Sequence, residues 1–325
     1  MTTMLPSRPR PAGMPDGFRT GAGMAPRFTP APHRSRHRTP FSGARRGWNG
    51  LKTAVLLAGL AGLLVFLGSL FGRTGAVIGL VLGLATIAGS YWFSDRVALR
   101  AAGAVPVDAT TAPALHRIVG ELCAEAGLPM PRLYVTPDRQ PNAFATGRNP
   151  RHAAVAVTQG LLDLLTPAEL RAVLAHELAH VGNRDILLTS VAAALATGIS
   201  FVAELAGWLP FLGNSEDDDT PSPLATIVAL LVAPFAALLL QLALSRSREF
   251  QADADGARLS GDGRSLATAL ARMERAAQRV PMDVQPAQAS NYIVNPLAGS
   301  AGRSLSALFM THPPTVERIA RLTGR

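Results

Sequence analysis

A pentapeptide near the middle of the chain, His-Glu-Leu-Ala-His at residues 176–180, has the residue types and the spacing of a metal site. Residues four apart on a helix lie on one face, so the imidazoles of His176 and His180 can bind one zinc ion. Glu177, beside the first histidine, can then reach the water that such an ion activates. The alternative is a chance match on an ordinary amphipathic helix, and such a match carries no requirement for a third ligand elsewhere.

Local signals predict that this pentapeptide lies on a helix. Thr166 can cap the helix, Pro167 suits the first helical position, and Glu169 completes a capping-box pattern. Apolar residues then recur at helical spacing as far as Val181. The sequence therefore predicts a helix that begins near Pro167 and carries both histidines on one face.

A pair of carboxylates that follows the last apolar run could complete the site. A catalytic zinc usually takes three protein ligands and leaves one position for water, so the third ligand must come from a different element. Glu249 and Asp253 are four residues apart and share a face if their segment is helical. Glu249 could bind the metal, and Asp253 could accept the free N–H of a ligand imidazole. The alternative for this pair is a solvated, charged turn after a membrane helix, and the upstream pentapeptide favours the metal site over it.

The composition excludes an ordinary soluble enzyme. Hydrophobic residues make up 48% of the 325 residues, charged residues only 16%, and the mean hydropathy is positive. The single cysteine, Cys123, rules out an intramolecular disulfide and is compatible with a reducing compartment. The formal net charge of +9 comes from residues 1–52, where nine Arg and one Lys oppose a single Asp. Nucleic-acid binding is therefore not indicated, because no folded domain carries the basic charge.

Composition also divides the chain into five segments. Residues 1–50 are rich in Pro, Gly, Arg and Ser, and we expect them to form a disordered basic tail. Residues 51–94 and residues 186–244 each contain two apolar runs long enough to span a bilayer, which predicts two transmembrane hairpins. Residues 95–185 and 245–325 are more polar, and we expect them to form the two parts of one soluble domain.

Residue patterns within the two soluble parts indicate the remaining elements. Proline near a start and glycine past an end are typical of helices, and short β-branched runs between turn residues are typical of strands. The expected elements are helices at 113–127, 265–280 and 315–322, strands at Arg132–Thr136, 142–147 and Ala153–Thr158, and a loop at 281–300. Together with the apolar runs, these elements predict a mainly helical α+β protein with four transmembrane helices.

The positive-inside rule predicts the orientation of this protein in a membrane. The arginine-rich tail should stay in the cytoplasm, so both termini and both soluble parts lie inside and the acidic loop 213–223 lies outside. His180 and Glu249 are each about five or six residues from an apolar run, or roughly 9 Å of helical rise. A metal bound by both would lie within about 10–15 Å of the membrane face, which predicts substrates presented at the bilayer.

Longer motifs around these residues resemble the HtpX-type family of bacterial membrane-bound zinc metalloproteases, whose relatives include the CaaX prenyl proteases. The resemblance is carried by the pentapeptide with the Asn-Arg-Asp that follows it at 183–185, and by the stretch 245–257. The segments 142–147 and 309–319 are similar to the family's substrate-side edge strand and to its C-terminal signature. The resemblance covers residues 51–325, except that 281–302 has no clear counterpart.

This resemblance implies a gluzincin-like protease domain that faces the cytoplasm and holds one Zn²⁺ ion per chain. It implies that His176, His180 and Glu249 bind the zinc and that Glu177 is the general base.

The resemblance further implies that His312 and Arg318 help to stabilise the tetrahedral oxyanion. From the residues alone, His312 is more simply a loop histidine before two prolines, and Arg318 a surface charge on a helix.

The substrate is expected to bind as an extended peptide along one strand. Such a peptide could pair with the strand that contains Asn142, Ala143, Phe144 and Ala145 by β-augmentation. The expected activity is hydrolysis of peptide bonds in membrane or misfolded proteins at the inner membrane, a form of membrane protein quality control. The partners are thus the lipid bilayer and protein or peptide substrates, and no oligomeric state is indicated.

Two alternatives remain open for the function. An intramembrane zinc protease would place the pentapeptide within an apolar run, and the charged Glu169 and Arg171 just before the motif argue against this. A catalytically degenerate zinc-binding scaffold would lack the catalytic glutamate or the third ligand, and the sequence lacks neither.

Overall fold

A computed structural model of the chain describes residues 72–191, 246–280 and 313–324, together with Phe41, most positions of 51–69 and several positions of 282–296. All of these residues belong to the unit formed by residues 38–325. The predicted tail other than Phe41, the apolar runs beyond residue 191, and His312 lie outside the described residues.

A four-stranded sheet forms the base of the domain. Its strands are β1 (Val105–Val107), β2 (Arg132–Thr136), β3 (Ala143–Gly147) and β4 (Ala153–Thr158), and they are ordered β1-β2-β4-β3. β2 and β4 pair in parallel, whereas β1 and β3 run antiparallel to their neighbours. Every residue of β4 is buried, as expected for a central strand that is covered on both faces. Because β3 is the last strand in this order, it forms an edge of the sheet.

The helices with defined bounds are α1 (Gly72–Ala101), α2 (Pro113–Ala126), α3 (Gln159–Leu164), α4 (Pro167–Asn183), α5 (Arg246–Ser260), α6 (Gly263–Ala277) and α7 (Thr315–Thr323). α4 is the central one and packs against α2, α5, α6 and β3. Its predicted capping box is confirmed, because Thr166 and Glu169 each accept the other's backbone N–H. The helix that carries the pentapeptide thus begins where the sequence predicts.

Both faces of the sheet are covered. Val155 and alternate neighbouring positions pack into the main core with α2, α4, α5 and α6. Phe144 and Ala156 point to the opposite face, where Leu99 of α1 and Tyr292 pack against them. The sheet and α4 together hold β3 beside the pentapeptide.

The predicted helices and strands of the soluble parts are confirmed, with small shifts at their ends, and most of the expected loop 281–300 lies outside the described residues. The helix expected at 113–127 ends at Ala126, because Gly127 takes a left-handed conformation that caps it. The helix expected at 265–280 begins at Gly263 and ends at Ala277, since Asp262 accepts the backbone N–H of Ser265 and caps the start. The sequence did not predict β1 or α3.

α1 is an unusually apolar helix of 30 residues. Its first 18 residues, Gly72–Gly89, are the one stretch of the described chain that is long and apolar enough to cross a membrane. The predicted boundary between residues 94 and 95 falls inside α1, which continues to Ala101 without a break. The apolar side chains that this stretch exposes, by 46–60%, are Val77, Ile78, Leu80, Val81, Leu82 and Leu84.

Candidate metal centre

Three side chains from α4 and α5 converge on one point. The Nε2 atoms of His176 and His180 lie 3.2 Å apart, and the Glu249 carboxylate oxygens lie 3.8 Å and 3.7 Å from them. Ligands of a tetrahedral zinc ion at roughly 2.0–2.1 Å are about 3.3 Å from one another, so the spacing of these atoms suits such an ion. The described residues therefore bring together a donor set of two imidazoles and one carboxylate.

His176 is supported by Asp253. The imidazole is fully buried, and its Nδ1 lies 3.0 Å from Oδ1 of Asp253. Burial lowers the pKa of His176, which favours the neutral ring. Burial alone would raise the pKa of Asp253, but the adjacent Arg318 outweighs it and holds the pKa at about 2. A neutral imidazole that donates Nδ1–H to an ionised Asp253 presents its Nε2 lone pair to a metal.

His180 is supported by a residue of its own helix end. Arg184 takes a left-handed conformation with φ of 60° and ends α4, and the N–H of Asp185 donates to the carbonyl of His180. The turn brings Oδ2 of Asp185 to 3.2 Å from Nδ1 of His180. Burial would lower the pKa of His180, but Asp185 and the charge of Glu249 raise it to about 9. The centre thus favours positive charge, which a divalent cation would supply.

Glu177 lies between the donor set and the edge strand. Its side chain is buried, and the backbone N–H of Ala145 in β3 faces its carboxylate. Burial raises the pKa of Glu177 to about 7, against the opposing effect of His180. A carboxyl group with a pKa in this range can take up and release a proton near neutral pH.

The strand residues predicted to bind substrate are buried, and part of their edge is already paired. The backbone N–H of Ile293 donates to the carbonyl of Ala143 over 3.0 Å. The Asn142 side chain pairs with the backbone of Val294, donating to its carbonyl over 2.8 Å and accepting its N–H over 3.2 Å. Phe144 faces the other side of the sheet, where its ring contacts Tyr292. Ala145 is the predicted strand residue whose backbone N–H faces Glu177.

Arg318 is not a surface charge, and that alternative is wrong. Its side chain is 1% exposed, and its Nε and NH2 atoms donate to both carboxylate oxygens of Asp253 over 2.8 Å and 2.7 Å. Its NH1 donates to the carbonyl of Ile293 over 2.8 Å. The alternative of a solvated turn for 249–253 is also wrong, because Glu249 and Asp253 are buried on α5.

Sequence reasoning missed several contacts that hold α4 against α5. A Cβ on Gly256 would lie 2.8 Å from both N and Cα of His176, so the two helices approach closely only because Gly256 has no side chain. Asn183 at the end of α4 donates to Asp255 of α5 over 2.9 Å, and Gln251, one turn earlier on α5, donates to the same carboxylate over 2.7 Å and holds it in place. The sequence did contain a signal for the close approach of the two helices. Gly256 lies seven positions after Glu249, so on one helix the two residues share a face.

Comparisons with known proteins show the family of this chain. A family model described as peptidase family M48 matches residues 109–325. A protease HtpX homolog of Pelotomaculum thermopropionicum is 48% identical over 280 residues, which cover 85% of this chain and 99% of that protein. A protease HtpX homolog of Syntrophobacter fumaroxidans is 50% identical over 277 residues, which cover 83% of this chain and 97% of that protein.

A more distant likeness exists among solved structures. The crystal structure of S. mikatae Ste24p aligns with a TM-score of 0.46 and 18% identity, covering 87% of this chain and 68% of that one. The sequence matches extend through α4 and α5 and over nearly the full length of the relatives. The chain therefore belongs to peptidase family M48 and is a metalloprotease of the HtpX type.

Proposed function

We propose that this metalloprotease is a zinc-dependent endopeptidase that works at the cytoplasmic face of the bacterial inner membrane. Its substrates would be membrane or misfolded proteins, so its role would be membrane protein quality control. The observation that carries this proposal is the convergence of His176, His180 and Glu249 beside the buried carboxyl of Glu177.

The donor set suits zinc. Two neutral imidazoles and one carboxylate would hold the ion with a net charge of about +1, and three protein ligands leave a position for water. When bound, zinc would polarise a peptide carbonyl and lower the pKa of a water molecule. Asp253 and Asp185 would keep the two imidazoles in the orientation that binds the ion.

Glu177 would move the proton in the reaction. As water attacks the peptide carbon, Glu177 would accept a proton from it and then pass this proton to the leaving amine as the C–N bond breaks. Its raised pKa supports this role, because the group can hold the proton between the two steps. Ala145 N–H would keep the carboxyl aimed at the reacting atoms.

An extended peptide would bind along the edge of β3. Its position would be set by the part of that edge that is already paired, since Ile293 and Val294 engage Ala143 and Asn142. We therefore propose that the substrate pairs with the part of β3 that follows Ala143, next to Glu177, and that this pairing fixes the scissile carbonyl at the metal centre.

The membrane arrangement is also proposed. The exposed apolar side chains of α1 support a first hairpin within 51–94. A helix that begins at Ile186, close after α4, supports a second hairpin within 186–244. Residues 95–185 and 245–325 would then form the two parts of one cytoplasmic protease domain. Phe41 is buried in the main core, so the basic tail at the membrane surface would be formed by the residues before it.

A cleavage assay with controlled metal content tests the proposed activity. We expect protein purified in detergent to contain one zinc ion per chain and to cleave an unfolded protein such as casein. Chelation should abolish cleavage, and added zinc should restore it. Cleavage that survives complete removal of zinc would contradict the proposal. Zinc binding without cleavage would instead support the degenerate scaffold.

Cysteine labelling tests the orientation. With Cys123 replaced by Ala, we expect Ser215→Cys in the acidic loop to react with an impermeant thiol reagent in intact cells. Thr323→Cys, at an exposed position of α7, should react only after lysis and serves as the matched control. Labelling of Ser215→Cys only after lysis would overturn the orientation.

A further inference from the structure

Arg318 reaches the metal centre from the end of the chain through Asp253. Its planar guanidinium donates two parallel hydrogen bonds to the Asp253 carboxylate, 2.8 Å from Nε to Oδ2 and 2.7 Å from NH2 to Oδ1. Such bidentate, charge-assisted pairs fix orientation as well as adding energy. Both residues are buried, so the pair is shielded from solvent.

The same carboxylate supports the first histidine. Oδ1 of Asp253, which accepts from Arg318, also lies 3.0 Å from Nδ1 of His176. The remaining terminal nitrogen of Arg318 donates to the carbonyl of Ile293. Arg318 NH2 lies 4.0 Å from Oε2 of Glu249, farther than from Asp253. Each guanidinium nitrogen thus donates to a protein acceptor, and two of the three bonds go to the carboxylate that supports His176.

We propose that Arg318 is a positioning residue for the metal centre: it holds Asp253 in the orientation in which Asp253 fixes the His176 imidazole for zinc. The proposal rests on one part of the proposed function, namely that the centre binds zinc. Only a guanidinium can make both bonds to Asp253 and keep the third bond to Ile293, because a lysine carries one nitrogen.

Zinc affinity, measured by chelator competition without substrate, tests the proposal. Asp253→Asn and Arg318→Gln should each weaken zinc binding by about 10–100-fold, the usual effect of losing a residue that orients a ligand. Because Arg318 acts through Asp253, the two losses should not add. The zinc affinity of the double variant should match that of the single variant with the larger loss. Arg318→Lys should recover part of the loss. Arg321→Gln removes an exposed charge from the same helix and should leave zinc affinity unchanged.

The fold of each variant is checked by thermal unfolding. Arg318→Gln leaves Asp253 as a buried charge and can unfold the chain. The double variant removes both charges and keeps the packing, so it stays testable alongside Asp253→Asn.

Wild-type zinc affinity in a folded Arg318→Gln variant, with slower cleavage, would overturn the proposal and favour an oxyanion role. Losses that multiply in the double variant would overturn it too. Zinc affinity and thermal unfolding are measured without cleavage, so an inactive wild type would contradict the proposed function and leave this test intact.

Discussion

His176 and His180 lie one helical turn apart, but the protein supports them in different ways. His176 is fully buried, and its support comes from Asp253 on α5 and from Arg318 on α7. The His180 side chain is 16% exposed, and its support comes from Asp185 at the end of its own helix. The first ligand therefore depends on tertiary packing between distant parts of the chain, whereas the second depends mainly on a local turn.

Glu249 is the carboxylate that both histidines face, so its loss should affect both halves of the proposed centre most strongly. Glu249→Gln keeps the size of the side chain but removes the negative charge, and we expect purified protein to retain little zinc. Asp253→Asn should retain more, because Asp253 orients a ligand and does not contribute one. Atomic spectroscopy of zinc per chain decides this. Full zinc occupancy in Glu249→Gln would remove Glu249 from the ligand set.

The two supporting carboxylates should differ in importance. We expect Asp253→Asn to weaken zinc binding by about 10–100-fold and Asp185→Asn to weaken it less. Asp253 is nearer to its histidine, at 3.0 Å against 3.2 Å, and is held by Arg318. Chelator competition on the two variants measures the zinc affinity of each and thus the ratio of the two losses. An equal or larger loss in Asp185→Asn would mean that the local support is the stronger one.

Features that depend on neighbours along the chain were predictable, although the support of His180 by Asp185 was not predicted. Thr166, Pro167 and Glu169 specify the start of α4 because capping residues act on neighbours in sequence. Glu249 and Asp253 could be paired because residues four apart share a helix face.

The pairing of Asp253 with Arg318 could not be predicted. No residue near Arg318 in the sequence indicates which carboxylate the guanidinium contacts in the folded protein. The resemblance to known proteases drew attention to Arg318, but the bidentate pair appears only in three dimensions. The segment 292–294 was expected to be part of a loop, and its contacts with Asn142 and Ala143 likewise depend on tertiary structure. Long-range packing is therefore what the sequence leaves open.

A substitution at Gly256 should disturb the surroundings of His176 and leave those of His180 unchanged, with a smaller effect than the loss of a carboxylate. Gly256→Ala would place a methyl group against the backbone of His176, and we expect a lower unfolding temperature and several-fold weaker zinc binding. Gly120→Ala in α2 meets open space and is the matched control, with stability raised by about 0.5–1 kcal/mol. Thermal unfolding and chelator competition measure both effects. If Gly256→Ala behaves like Gly120→Ala, close approach of α4 and α5 is not needed.

Glu177 separates metal binding from catalysis, so zinc content and cleavage rate of Glu177→Gln, measured on one preparation, test the proposed mechanism most directly. Glutamine keeps the size of the side chain and can still accept the N–H of Ala145, but it cannot take a proton near neutral pH. We predict wild-type zinc per chain, a wild-type unfolding temperature, and casein cleavage slower by at least about 10²–10⁴-fold. Cleavage at the wild-type rate with equal zinc content would contradict the role of Glu177 as the general base.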